Sequence, residues 1–176
     1  EQRLQLLLNR RKQQAFADLP PDEQLYTLFR QTDDSLALQN LVLQVREGDL
    51  NALDDIIAAR RAEADAAEQA EIDQRYAILQ QIRAQLREQY GDHLPFIKRI
   101  NAWLQTNSWQ ESHDYLRLHK SEMLSEPAQA AMQKLVDADP DNPVLEEHQL
   151  ILRDGQRHGI VRAYANRAER EEAAAL

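Results

Sequence analysis

The chain has 176 residues, of which 43% are hydrophobic and 29% are charged, and its formal net charge is −9. This composition is typical of a folded, water-soluble protein and too apolar for general disorder. The 30 acidic residues outnumber the 21 basic ones. That excess disfavours a nucleic-acid partner, because binding to phosphates needs a basic stripe, and it disfavours an anionic membrane surface for the same reason.

The sequence contains no cysteine, which excludes disulfides, thiolate catalysis and sulfur-based metal sites. A cytoplasmic location fits this absence. No run of residues approaches the ~20 apolar residues of a membrane span, and no signal peptide is visible. Because the chain starts on Glu1 in the middle of a predicted helix, we expect it to be a fragment of a longer protein.

Helix breakers are scarce, with 4 glycines and 6 prolines. Ala, Leu, Gln, Glu and Arg dominate, and these residues lose little side-chain freedom in a helix. Long helices with short connections are therefore expected, beginning with one over residues 1–18. Pro20 and Pro21 end this helix, and a second helix is predicted over about 22–31.

A third helix is predicted over about 34–46, with Thr32 or Asp33 as its N-cap. The pair Gly48-Asp49 then predicts a stop and a restart. We expect glycine to end the third helix and aspartate to cap the next one.

From residue 50 to residue 90 the sequence has neither Gly nor Pro, and residues 58–70 lack any large apolar side chain. This central stretch is compatible with a solvated helix or with a flexible linker. We favour one continuous helix, because Ala-rich polar sequence retains helix propensity. The predicted organisation is a first helical unit over 1–60, a long connecting helix over 61–90 and a second helical unit over 91–176.

Several residues in the second half of the chain predict where helices begin and end. Gly91 is expected to end the long helix, and Ser108 with Glu111 matches the capping-box pattern. Ser125 predicts a further helix start. The helix after Ser125 is expected to turn Met132, Leu135 and Val136 inward. The next helix is predicted to have Asn142 as its cap, Pro143 in its first turn and an end near Gly155. A last helix is predicted to contain Ile160, Val161 and Tyr164.

Short sequence segments in the two halves of the chain weakly resemble each other. Residues 39–42 resemble residues 133–136, and residues 53–55 resemble residues 145–147. Such repetition is typical of arrays in which helix pairs stack, since one pair cannot bury its apolar face alone. The predicted fold is all-α, with about eight or nine helices as antiparallel hairpins in a tetratricopeptide-like or irregular bundle arrangement and one long helix near 50–90.

About half of the chain carries small hydrophobic and capping motifs that resemble degenerate helical segments of large bacterial multidomain proteins. In those proteins the segments accompany tetratricopeptide repeats, caspase-like CHAT domains or NTPase modules. The chain departs from the regular 34-residue tetratricopeptide spacing. The resemblance implies a scaffold or sensor segment, with any enzyme elsewhere. The motifs are Val45-Arg46-Glu47-Gly48-Asp49-Leu50, Trp103-Leu104, Ser108-Trp109-Gln110-Glu111-Ser112, Leu116, His119, Met123-Leu124-Ser125, Ala128, Leu135, Glu147-His148, Leu152, Gly159-Ile160 and Ala163-Tyr164.

Five histidines raise the question of a metal site. His113 and His119 are six residues apart, and His148 and His158 are ten apart, so neither pair has the four-residue spacing of two ligands on one helix face. We therefore predict no metal and no cofactor.

Catalytic patterns are also missing. The neighbours Asp54 and Asp55, like Glu146 and Glu147, diverge by ~100° on a helix and are expected on a solvated face. The glycine spacing forms no phosphate-binding loop. The sequence therefore predicts a protein that is not an enzyme.

Aromatic residues are concentrated in one predicted helix pair. Trp103 and Trp109 could pack in a core or line a groove that takes a helix or peptide of a partner. Core packing is favoured for Trp103, and the two alternatives are equal for Trp109. With Tyr115 and His119 they form the predicted partner-binding surface.

The leading interpretation is a non-catalytic protein–protein interaction or scaffold module whose partner is a protein or peptide. An alternative is a homo-oligomerisation element, in which the helix near 50–90 pairs with another copy through apolar residues that include Ile72, Tyr76, Leu79 and Leu86. A small helical enzyme or ligand-binding domain is the third interpretation, and it requires a buried polar cluster.

Overall fold

A computed structural model describes residues 2–31 and 34–176, without the side chains of residues 2–4 and 6–8. Across these residues the chain forms eleven α-helices and one 3-10 turn, with no strand, which confirms the all-α prediction. None of the described helices is long and apolar enough to cross a membrane. Contacts divide the chain into two compact units, Glu1–Ala84 and Gln85–Leu176.

The first unit contains four complete helices and most of a fifth. They are α1 (Gln2–Ala17), α2 (Pro21–Gln31), α3 (Ser35–Gln44), α4 (Glu47–Glu63) and α5 (Ala66–Tyr90), and the division between the units falls within α5. The second unit continues with the 3-10 turn Gly91–His93, α6 (Leu94–Leu104), α7 (Trp109–Leu118), α8 (Lys120–Met123), α9 (Glu126–Ala138), α10 (Pro143–His158) and α11 (Ile160–Ala175).

The N-caps predicted in the second half are present, but the capping box at Ser108 is incomplete, because the Glu111 carboxylate accepts from the Asn107 amide at 2.9 Å and not from the Ser108 amide. The Ser108 side chain accepts a hydrogen bond from the Glu111 amide at 3.1 Å, and the Ser125 side chain accepts one from the Ala128 amide at 3.4 Å. Asn142 Oδ1 accepts from the amide two residues later at 3.0 Å, with proline in the first position of α10. Each cap satisfies an amide that has no partner within its own helix.

The cap of α3 differs from the prediction. Thr32 and Asp33 lie outside the described residues, and Asp34 is the N-cap, with its Oδ1 2.9 Å from the Leu36 amide that donates to it. Aspartate suits this position because its carboxylate accepts from the amides of the first turn.

The predicted stop and restart at Gly48 and Asp49 is wrong by a few residues. Helix α3 ends at Gln44 and α4 begins at Glu47, so Gly48 lies in the first turn of α4. The Oδ2 atom of Asp49 accepts from the amide of Arg46, the N-cap residue, at 3.2 Å. Asp49 therefore stabilises the start of α4 from within the helix, as an acidic group near a helix N-terminus does.

The predicted long helix corresponds to α5, which has 25 residues. The expectation that helix continues unbroken through residues 58–70 is wrong, because α4 stops at Glu63 and Ala64 is extended, with ψ of 154°. Asp65 Oδ1 accepts from the Glu68 amide at 2.9 Å and so caps the new helix. The segment is neither one helix nor a loose linker but a tight break of two residues.

Helices α4 and α5 pair as an antiparallel hairpin. Arg61, near the break, donates to Asp73 at 2.9 Å, and far from the break Arg83 donates to both carboxylate oxygens of Asp54 at 2.9 Å. Arg83 also pairs with Glu47 at 3.2 Å, and Tyr76 donates to Asp54 at 3.1 Å. The hairpin is therefore fixed by ion pairs at both of its ends.

The prediction that Asp54 lies on a solvated face is wrong, since it contacts the Arg83 guanidinium, which is 8% exposed. Burial lowers the pKa of Arg83, but hydrogen bonds and charge from Asp54 and Glu47 outweigh it and hold that pKa above its ordinary value. Asp55, the next residue, is exposed.

The core consists of the apolar faces of these helices. Fully buried large side chains are Phe29, Leu38, Leu50, Leu53, Ile72 and Leu79 in the first unit, and Leu86, Ile97, Ile100, Trp103, Leu116 and Met123 in the second. In α9 the buried residues are Ala128, Ala131 and Met132, whereas Leu135 and Val136 are half-buried. The predicted inward face of α9 is therefore correct for Met132 and rotated for the other two residues.

Helix α10 does not end near Gly155 as predicted. It continues to His158 and ends at Gly159, whose φ of +89° favours glycine. Gly155 is instead a point of close packing, because a Cβ atom there would lie 3.2 Å from Leu124 Cδ2.

The Arg83 ion pairs give the first testable prediction. We expect Asp54→Ala to lower the free energy of unfolding by about 3 kcal/mol, because it leaves a buried guanidinium without its main partner. The matched control Asp55→Ala should change it by less than about 0.5 kcal/mol. Urea unfolding measures both, and equal values for the two variants would contradict a stabilising role for Asp54.

Candidate functional site

The aromatic cluster of the second unit is organised around Trp103, which is fully buried. Its indole N–H is shared between the carbonyl oxygen of Ser112, at 3.2 Å, and the hydroxyl of Tyr164, at 3.1 Å. The Ser112 and Tyr164 hydroxyls are 2.7 Å apart and hydrogen-bonded. Trp103 therefore ties α6 to α7 and α11 in the core, and it does not itself reach the surface.

His148 of α10 lies between the two tryptophans. Its ring meets Trp103 edge to face, with 4.5 Å between ring centroids, and lies 5.5 Å from the ring of Trp109. The side chain is 5% exposed, and its Nδ1 is 2.7 Å from the carbonyl oxygen of Val144. Since a carbonyl only accepts, Nδ1 carries the proton.

Burial lowers the pKa of His148 below its ordinary value, and this outweighs the Val144 hydrogen bond and the charge of Glu147, which both raise it. The imidazole is therefore neutral at pH 7. With the proton on Nδ1, the ring presents Nε2 as a hydrogen-bond acceptor.

Trp109, the first residue of α7, remains 39% exposed. The Arg167 guanidinium lies 4.2 Å from its ring centroid, a cation–π contact, and Arg167 is paired with Glu171 at 2.8 Å. His148 contacts the same indole. These contacts hold the Trp109 ring in place without burying it.

A pocket of about 230 Å³ opens beside Trp109. Its lining combines apolar groups with amide, hydroxyl and imidazole groups: Leu104, Thr106, Asn107, Ser108, Trp109, Ser112 and His148. Thr106 is used internally, since its hydroxyl donates to the Trp103 carbonyl at 2.8 Å. The His148 ring is buried, so a ligand atom that donates to Nε2 would form its hydrogen bond away from water.

Tyr115 and His119, the other two residues of the predicted surface, pack on each other. Their ring centroids are 4.4 Å apart, and both are half-buried. Burial lowers the pKa of His119, as does the charge of Arg99, which pairs with Glu122 at 2.8 Å. Neither ring is among the described residues that line the Trp109 pocket.

Sequence reasoning missed His148 and Arg167 as site residues. A signal for His148 was present, because it shares a helical face with Leu145 and Leu152, three residues before and four after, and a histidine within an apolar stripe indicates a buried imidazole. No comparable signal marks Arg167, whose contact with Trp109 joins residues distant in sequence.

The described part of the chain has no group of three or more His, Cys, Asp or Glu residues that could hold a metal ion. No protein-family model, curated protein or solved structure matches the chain. The resemblance to helical segments of large bacterial multidomain proteins therefore stays a prediction.

The environment of His148 predicts a pH dependence. Because its pKa is lowered by burial, we expect its imidazole to titrate below about 6.5 and the free energy of unfolding to fall as the pH drops below that value. The sign follows because the unfolded chain takes up a proton there while the folded chain resists it, so this stability is fully present above about pH 6.5.

Histidine resonances in NMR and urea unfolding between pH 8 and 5 test this prediction. His148→Gln should show a weaker pH dependence than the parent, whereas the contribution of His119 stays in both. A His148 resonance that titrates at or above the ordinary value would contradict it.

Proposed function

We propose that this chain is a non-catalytic protein–protein interaction module and that its second unit docks a short segment of a partner protein in the pocket beside Trp109. The observation that carries this proposal is the placement of Trp109: a half-exposed indole, fixed by Arg167 and His148, at the edge of a pocket. Tryptophan is enriched among the residues that dominate binding energy at interfaces.

The pocket volume limits what enters. At about 230 Å³ it is smaller than the ~300–1,000 Å³ of sites for drug-sized ligands, so it suits one side chain of a partner and not a whole helix. An apolar side chain would pack on Trp109 and Leu104, while a donor group of the same segment would hydrogen-bond to Nε2 of His148. This combination gives both contact area and a directional requirement.

Preorganisation favours such a role. The Trp109 ring is already held between an arginine and a histidine, so little side-chain freedom remains to be lost on binding. Arg167 is itself paired with Glu171, which reduces the cost of keeping its charge at the interface. The resemblance to helical segments of large bacterial multidomain proteins implies a scaffold or sensor segment, which agrees with this proposal.

The oligomerisation alternative has less support. Its apolar residues Ile72, Leu79 and Leu86 are buried within the chain itself, with exposures of 0%, 0% and 2%. They are therefore not available to pair with a second copy unless the fold opens.

Selection of peptides from a random phage-displayed library against the intact chain, followed by calorimetric titration of the selected peptides, tests the proposal. We expect Trp109→Ala to weaken binding at least tenfold, which corresponds to about 1.4 kcal/mol. The control is Leu118→Ala, on the same helix and 79% exposed, which should stay within twofold.

Circular dichroism would show that both variants remain folded. Peptides that bind the parent and the Trp109→Ala variant equally would place the docking surface elsewhere. A pocket that selects small metabolites and no peptide would favour the ligand-binding interpretation.

A further inference from the structure

Helix α1 has a charge opposite to that of the chain. Its 16 residues contain no Asp or Glu, although the net charge of the chain is −9. Arg10, Arg11 and Lys12 follow one another on this helix, and all three are exposed. Within the described residues none of them has a carboxylate at ion-pair distance, whereas Arg30 and Arg60 in the same unit are both paired. The basic cluster, Arg10 to Lys12, is thus free to meet acidic groups from outside.

A groove of about 710 Å³ lies between α1 and α2, and of the basic cluster Lys12 lines it. Phe16 lies within it half-buried, and Leu19 and Leu28, which line the same groove, are 36% and 38% exposed. Lys12 lines the same groove one helical turn before Phe16. The groove therefore has apolar residues along its base and a lysine at its edge.

The size and shape of this groove point to a helix as its occupant. Its volume is several times that of the Trp109 pocket, so it accommodates several side chains rather than one. A helix that lies in a groove inserts residues at i, i+3, i+4 and i+7 and leaves its polar face at the rim. At this rim the polar face meets Lys12, and Arg10 and Arg11 add positive charge from the adjoining sides of α1.

We propose that the groove between α1 and α2 docks an amphipathic helix of a partner protein whose polar face is acidic. Its apolar side chains pack on Phe16, Leu19 and Leu28, and its carboxylates pair with Lys12 and are attracted by the nearby charges of Arg10 and Arg11. A bilayer does not fit as well, because a membrane surface cannot enter a concave groove and the strongly acidic chain opposes an anionic surface. The surface lies in the first unit and is independent of the Trp109 pocket.

The test uses a displayed library of amphipathic helical peptides with a fixed leucine stripe and a randomised polar face. Selection on the whole chain should enrich Asp and Glu at the randomised positions. Binding of the selected peptides, measured by fluorescence polarisation, should weaken at least tenfold in the triple variant Arg10→Glu, Arg11→Glu, Lys12→Glu. It should also weaken as salt is raised, since the charge pairs are exposed.

Two controls keep the result specific. Charge reversal at exposed cations of the second unit, Lys120→Glu with Lys134→Glu and Arg157→Glu, should leave binding within twofold, as should Trp109→Ala. Phe16→Asp should abolish binding, and the triple variant remains informative if this substitution unfolds α1, because its three side chains are exposed.

The proposal is overturned by several results: polar faces that are not enriched in acidic residues, no selection above background, or affinity unchanged in the triple variant. Binding to phosphatidylserine vesicles that the triple variant loses, without peptide binding, would assign the surface to a membrane. A concentration-dependent dimer that the triple variant or Phe16→Asp abolishes would assign it to a second copy of the chain.

Discussion

A buried indole N–H must find an acceptor, and in the second unit this requirement fixes the positions of the helices around Trp103. The acceptors are the Ser112 carbonyl and the Tyr164 hydroxyl, so α6, α7 and α11 cannot shift against one another without leaving a polar atom unsatisfied. The Trp103 ring also meets the His148 ring edge to face, so α10 belongs to the same cluster. The geometry of the Trp109 pocket follows from this arrangement, since its histidine and its tryptophan are both set by the helices that Trp103 holds.

In the first unit the corresponding constraint is a buried charge, the guanidinium of Arg83. Arg83 is almost fully buried and needs carboxylates around it, which Asp54 and Glu47 provide only if α4 and α5 run antiparallel. The break at Ala64 and Asp65 lets the chain reverse. Locally the Ala-rich sequence around it would form helix well, so propensity alone does not produce the break. Asp65 caps the new helix, Gln69 donates to the Arg61 and Ala64 carbonyls, and the ion pairs between α4 and α5 stabilise the reversal.

This contrast explains what the sequence could predict. Helix positions were accessible because their ends are marked by local chemistry, such as Pro21, Ser108, Ser125 and Asn142, which act within a few residues of where they stand. The break at Asp65 was harder to predict, because an aspartate that can cap a helix stands there in Ala-rich sequence that favours a continuous helix. Local sequence signals determine where the helices begin and end, and contacts between residues distant in sequence determine how the helices pair.

The features of the candidate site likewise divide into those that the sequence could identify and those that it could not. Aromatic composition identified Trp103 and Trp109, and periodicity could have placed His148 on a buried face. It could not show that His148 lies against both tryptophans or that Arg167 covers Trp109, because those contacts join four helices. Tyr115 and His119 share their helix region with Trp109 but pack on each other, because residues four apart lie on one helix face, whereas Tyr115 is six residues from Trp109 and lies on another.

The two proposed surfaces rely on different physical effects, and this difference bears on the kind of module the chain would be. The Trp109 pocket combines a fixed ring with a desolvated acceptor, so its selectivity would come from shape and hydrogen bonding and would depend little on salt. The groove beside Arg10 to Lys12 combines exposed apolar side chains with exposed charge, so its selectivity would come from amphipathicity and would depend strongly on salt. Surfaces that differ in this way do not compete for one ligand. Two partners held on one chain experience a raised effective concentration of each other, which is the physical basis of a scaffold that needs no catalytic group of its own.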